Sequence, residues 1–263
     1  MVEGMERQVN ESGVGGWPTR EPAPLFPITV RSCYRQVTVQ SAEDAASRVS
    51  TGKFGMTDNN SWGLSPAELH KLRGLKTPHG IQRLLDDMPY HLADSAWSPR
   101  LVLRENTSHC YEGALFAAAA LRVIGYPPLI LDLEAEHDTD HVIAVYRNPT
   151  DGHWGALAKS NYTGCRYREP VYRSLRELVL SYFDTYFNLR GERTLRTFSR
   201  PVHMKRFDSL DWMTTEKPVW FVAEYLLTIS HYPLITRAQA QRLHRLDGRS
   251  FRAGCLERAE KEL

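Results

Sequence analysis

The chain has 263 residues, 42% of them of hydrophobic type, which is enough to bury the core of one large domain or two small ones. A formal net charge of +2 from 33 basic and 31 acidic residues demands neither a nucleic-acid nor an anionic-membrane partner. The four cysteines, Cys33, Cys110, Cys165 and Cys255, are widely spaced with no C-x-x-C pair, which argues against a disulfide framework or structural zinc and for a reducing compartment.

Taken in order, residues 1–26 mix Gly, Pro, Ser, Glu and Arg and are predicted to form a flexible leader without the apolar region of a secretion signal. Ile28 to Val39 alternates weakly, as an extended segment does, and Gly52 to Gly63 reads as a loop. Ser65-Pro66-Ala67-Glu68 and Thr77-Pro78 are helix starts, the first with proline at N1 and glutamate at N3, and the second opens a helix carrying Ile81, Leu84 and Leu85. Both are expected to cap one side of the site. Alanine-rich Cys110 to Ile124 is predicted to be a helix with N-cap chemistry from Thr107 and Ser108 and a left-handed stop at Gly125. Pro128 to Leu133 is of strand type, Glu134 to Asp140 is an acidic connector, and His141 to Arg147 with Trp154 to Asn161 forms a hairpin around Asn148 to Gly152. Further helices are predicted over Ser174 to Asn188, Lys217 to Ser230 and Thr236 to Leu246, before a charged, frayed tail at 251–263. No run approaches a membrane span, and a cytoplasmic location is expected.

The chemistry gathers at Cys110. In the first turn of a helix, unsatisfied N–H groups and the positive end of the dipole favour a thiolate. A nucleophilic cysteine also needs an adjacent imidazole, and the imidazole a third group to fix its tautomer. Paired residues of an antiparallel hairpin have a constant sum, here near 300 to 302, so His141 faces Lys159, Ser160 or Asn161. Asn161 is the best placed of these to orient it.

Over roughly Ser98 to Asn161 the sequence resembles the transglutaminase-like superfamily, a branch of the papain-like cysteine enzymes: cysteine at a helix start, histidine at a strand start, then a polar residue on the neighbouring strand. The stretches Lys159 to Tyr162, Arg166 to Pro170 and Arg176 to Phe183 are similar to uncharacterised proteins of that group. The resemblance implies an α+β fold with the catalytic helix packed on an antiparallel sheet. It also implies a single domain over 27–250 with its core at about 98–200 and helical additions at both ends. Cys110 would be the nucleophile, His141 the acid/base and Asn161 the third member, where the superfamily ordinarily has an aspartate that this chain lacks. The implied activity is acyl transfer or amide hydrolysis through a thioester, on a peptide, protein or small-molecule amide or thioester, with no cofactor.

Asn106 and Gln82 are candidate side-chain donors to the oxyanion. Trp154, Lys159, Ser160, Tyr162 and Arg168 are candidate substrate contacts. Two other readings compete. One is an inactive binding module on the same frame, and the other a metal-dependent hydrolase using His137, Asp138, Asp140 and His141.

Overall fold

The computed structural model describes residues 61–256. The expected leader, the extended segment from Ile28, most of the loop to Gly63 and residues 257–263 of the tail lie outside the described residues.

Helices α1 (Pro66–Arg73), α2 (Pro78–Asp87) and α3 (Pro99–Glu105) each begin with proline behind a hydroxyl cap, from Ser65, Thr77 and Ser98. At α1 the cap is reciprocal: Glu68 N–H donates to Ser65 Oγ at 3.3 Å and Ser65 N–H to Glu68 Oε2 at 2.6 Å. Helix α4 (Cys110–Val123) buries every residue from Tyr111 to Leu121, as a helix apolar on all sides must. Its alanines let the backbone lie close against the sheet, and Gly125, at φ +97°, ends it while Tyr126 N–H reaches back to the Leu121 carbonyl at 2.8 Å. The cap residue is His109 rather than Thr107 or Ser108. The hydroxyl of Thr107 donates to the Pro89 carbonyl instead, and that of Ser108 is buried.

The antiparallel sheet comprises β1 (Leu129–Ala135), β2 (His141–Arg147), β3 (Trp154–Leu157), β4 (Arg168–Tyr172), β5 (Leu195–Ser199), β6 (Val202–His203) and β7 (His231–Pro233). The spatial order is β4-β3-β2-β1-β5-β7, with β6 also on β1. Strand alternation sorts its side chains. Ile130, Val142, Ala144 and Leu157 pack with α4, α1, α2 and α6 (Trp220–Thr228), whereas Leu131, Leu133, Ile143, Val145 and Ala156 pack with α5 (Leu175–Phe183). The architecture is therefore α+β, with helices on both faces of the sheet.

The hairpin has the expected register, Ala144 opposite Leu157 and Val145 opposite Ala156. However, β3 stops at Leu157, so Lys159, Ser160 and Asn161 fall beyond the ladder and β2 loses its β3 neighbour over residues 141–143. The amide of Gln82 pairs instead with the backbone of Ala158, just past the end of β3. Its Nε2–H donates to the Ala158 carbonyl at 2.9 Å and its Oε1 accepts from Ala158 N–H at 3.0 Å.

Strands β4 to β7, helix α3 and a 3-10 segment, Met204–Leu210, have no counterpart in the sequence prediction. Short half-buried segments carry too little periodicity to be seen. The helix expected to reach Asn188 ends at Phe183, and the one expected over Thr236 to Leu246 shrinks to α7 (Arg237–Ala240). A last helix, α8 (Gly248–Gly254), crosses the expected boundary at residue 250 and packs Phe251 on Phe187, with Cys255 buried beside it. Among the described residues no helix is long and apolar enough to cross a membrane.

Candidate active site

The first turn of α4 is committed on every side, because successive helix residues point about 100° apart. Cys110 meets β2, with the N–H groups of Val142 and Tyr111 at its sulfur. Tyr111 Oη–H donates to the Val219 carbonyl at 2.7 Å, tying the turn to the residue before α6. Glu112, fully buried, accepts from Ser95 Oγ–H at 2.7 Å, Trp97 N–H at 3.0 Å, His91 Nδ1–H at 3.2 Å and the N-cap His109 N–H at 3.3 Å. Gly113 lies so close to Lys159 that a Cβ there would come within 2.6 Å of the lysine Cβ.

Burial pushes the Cys110 thiol up to about 11, helped by the carboxylates of Asp132 and Glu112 and opposed by the two N–H groups at its sulfur. The helix-start effect expected from the sequence is thus present but outweighed by desolvation. At neutral pH Cys110 is a thiol.

His141 opens β2 opposite Leu133 of β1, on the α5 face of the sheet, where its ring meets that of Tyr186 edge-on at 6.3 Å. Its Nε2–H donates to the Cys165 carbonyl at 3.0 Å. That bond fixes the tautomer and leaves Nδ1 with its lone pair. Burial drives the imidazole down to about 4, so it too is neutral. Cys110 and the backbone of His141 are adjacent through Val142, at the stretch of β2 that β3 leaves open. No hydrogen bond joins their side chains.

The remaining sequence candidates are spread among structural tasks. Asn161 is half-buried and makes no hydrogen bond with His141, whose acceptor is the Cys165 carbonyl instead. Gln82 spends its Nε2 donors on Ala158 and Asp86, and so has none left for an oxyanion. Asn106 is exposed and ends α3 in the left-handed conformation, φ 54°. Lys159 is buried, its ammonium donating to the Leu85 carbonyl at 2.7 Å and to the Met88 carbonyl, so it caps the C-terminus of α2 rather than facing substrate. Ser160 Oγ accepts from Tyr162 N–H, Tyr162 packs on Phe187, and Trp154 lies beneath the Arg147 guanidinium at 4.9 Å. Arg168 bonds Ser181 and the carbonyls of Tyr167 and Gly164, with its guanidinium 4.0 Å from the Tyr182 ring centroid.

The metal reading finds its groups dispersed. His137 is exposed, Asp138 accepts from Thr194 Oγ1–H at 2.6 Å, Asp140 accepts from Ala135 N–H at 2.8 Å, and His141 bonds Cys165. Among the described residues no three His, Cys, Asp or Glu side chains could hold a metal ion.

Two buried polar groupings escaped the sequence reading. The first is the Glu112 network, of which the only sequence trace is glutamate at N3 of the helix. The second is Asp132 with His231, 3.0 Å apart on β1 and β7. The other ring nitrogen of His231 faces the Ile229 carbonyl at 3.1 Å, so the imidazolium satisfies both acceptors, and Asp132 holds its pKa above the usual histidine value. Nothing in the local sequence signals that pair. No protein-family model matches the chain, and neither does any curated protein.

Proposed function

We propose that the chain is a transglutaminase-like, papain-like cysteine enzyme that transfers an acyl group, to water or to an amine, through a thioester. In the first step Cys110 Sγ attacks the carbonyl carbon of an amide or thioester while His141 Nδ1 takes the thiol proton. The tetrahedral oxyanion is met by backbone N–H groups at the start of α4. His141 then returns the proton to the leaving amine or thiol. In the second step it takes a proton from the water or amine that releases the acyl group, regenerating the thiol. Substrate approaches along the axis of α4, since its first turn is enclosed laterally by β2, Val219, residues 91–97 and Lys159.

The observation that supports this reading is the Cys165 carbonyl on His141 Nε2, which leaves Nδ1 with its lone pair on the residue next to Val142, whose N–H meets the Cys110 sulfur. The carbonyl takes the orienting role for which Asn161 was the sequence candidate. A neutral thiol and a neutral imidazole suit general-base attack rather than a preformed ion pair. The same burial also favours a second reading, a binding module whose thiol never reacts.

Intact-mass trapping with a panel of amides and thioesters separates the two. Wild type is expected to gain one acyl mass, mapped to Cys110, and Cys110→Ala to gain none. Equal labelling of Cys110→Ala and wild type, or no adduct from any member of the panel, would overturn the enzymatic reading.

A further inference from the structure

A pocket of about 480 Å³ lies between the acidic connector, the start of β5 and α7, well apart from Cys110 in sequence. Four arginines line it, Arg190, Arg193, Arg196 and Arg245, with His137 and His244. Among the described residues its lining carboxylates are Glu136 and Glu192, which leaves an excess of two positive charges with the histidines counted as neutral.

The arginines divide into fixed and movable pairs. Arg193 and Arg196 are about four-fifths buried and held in place. Arg193 donates to Asp184 at 3.1 Å and to the His244 carbonyl at 2.7 Å, and Arg196 to Glu136 at 2.8 Å and to the carbonyls of Arg193 and Leu195. Arg190 and Arg245 stand on the rim, more than half exposed, and share the single carboxylate of Glu192 at 3.0 and 3.3 Å. One carboxylate serving two guanidiniums leaves most of their donors unused, since each guanidinium offers five N–H groups. Ala240 and Leu243 of the α7 region add an apolar wall.

We infer that this pocket binds a phosphate-bearing small molecule, its phosphate taken by the arginines and its body lying on Ala240 and Leu243. A phosphate monoester presents three terminal oxygens around one centre, which suits guanidiniums arriving from several sides better than a planar carboxylate. The volume exceeds that of a bare phosphate and falls within the range of small-molecule sites. Glu192 occupies the rim arginines in place of the ligand and competes with it.

The test is calorimetric titration of the full chain with inorganic pyrophosphate at fixed ionic strength, with citrate as the carboxylate control. Pyrophosphate is expected to bind, the double variant Arg190→Gln, Arg245→Gln to weaken it by about tenfold or more, and Glu192→Gln to tighten it by about threefold or more. Because Arg193 and Arg245 also tie the C-terminal segment to residues 184–193, the thermal midpoint of each variant is measured alongside. If the double variant fails to fold, Glu192→Gln decides, since a purely structural arginine network predicts no tightening when its shared carboxylate is removed. Absence of pyrophosphate binding, binding unchanged in these variants, or citrate bound as tightly as pyrophosphate would overturn the inference.

Discussion

The two faces of the sheet treat their reactive groups differently. On the α4 face Cys110 sits at a helix start whose every lateral neighbour is fixed: Glu112 by four donors, Tyr111 by a carbonyl, Gly113 by contact with Lys159. On the α5 face His141 is held by one hydrogen bond, to a main-chain carbonyl in the turn-rich segment after β3. Between them lies only backbone: β3 ends before the first residues of β2, and the N–H of Val142, the residue after His141, meets the Cys110 sulfur while the imidazole lies on the other face of the sheet.

Breaking the α5 side is expected to have the largest effect. His141→Ala should slow Cys110 acylation by about 10²- to 10⁴-fold while the fold survives, read as single-turnover thioester formation together with the thermal midpoint. An unchanged rate would remove His141 from the chemistry. The same residue should govern acid stability. Its pKa is depressed in the folded state, about 4 against roughly 6.5 in the unfolded chain, so the unfolded chain binds more protons between those values and stability falls as pH drops through that window. The loss from this group amounts to roughly 3 kcal/mol by pH 4, and denaturant titrations of wild type and His141→Gln should differ in slope only there.

On the α4 side, Lys159→Met strips two buried carbonyls of their donor and should cost about 2–3 kcal/mol in denaturant unfolding. Glu112→Gln keeps the shape but replaces a charged acceptor of four donors, and should cost about 2 kcal/mol and loosen residues 91–97, visible as faster amide exchange at Trp97. The smallest effect is expected at Asn161. Asn161→Ala should change acylation by less than about threefold, whereas loss of a group orienting the imidazole would cost up to about 10⁴-fold. A large effect there would return the orienting role to Asn161 and displace the Cys165 carbonyl.

Much of this arrangement was legible beforehand where local physics is strong. The caps at Ser65-Pro66 and Thr77-Pro78, the alanine run ending at Gly125 and the turn at Asn148 to Gly152 all specify their structures from neighbouring residues alone. The hairpin sum gave the rung on which His141 stands, but not that the ladder would stop three rungs short of it. Lys159, Arg168 and Gln82 looked available for ligands because a sequence shows a side chain's donors and not what consumes them.

What the sequence determined by itself was helix and hairpin periodicity and the caps at Ser65 and Thr77, since these depend on residues within a few positions of one another. Only the tertiary structure decided the state of Cys110 and His141 and their partners. Desolvation, set by everything packed around Cys110, overrides the dipole at the helix start. The acceptor that fixes His141 is a main-chain carbonyl, a group every residue carries and no residue name reveals.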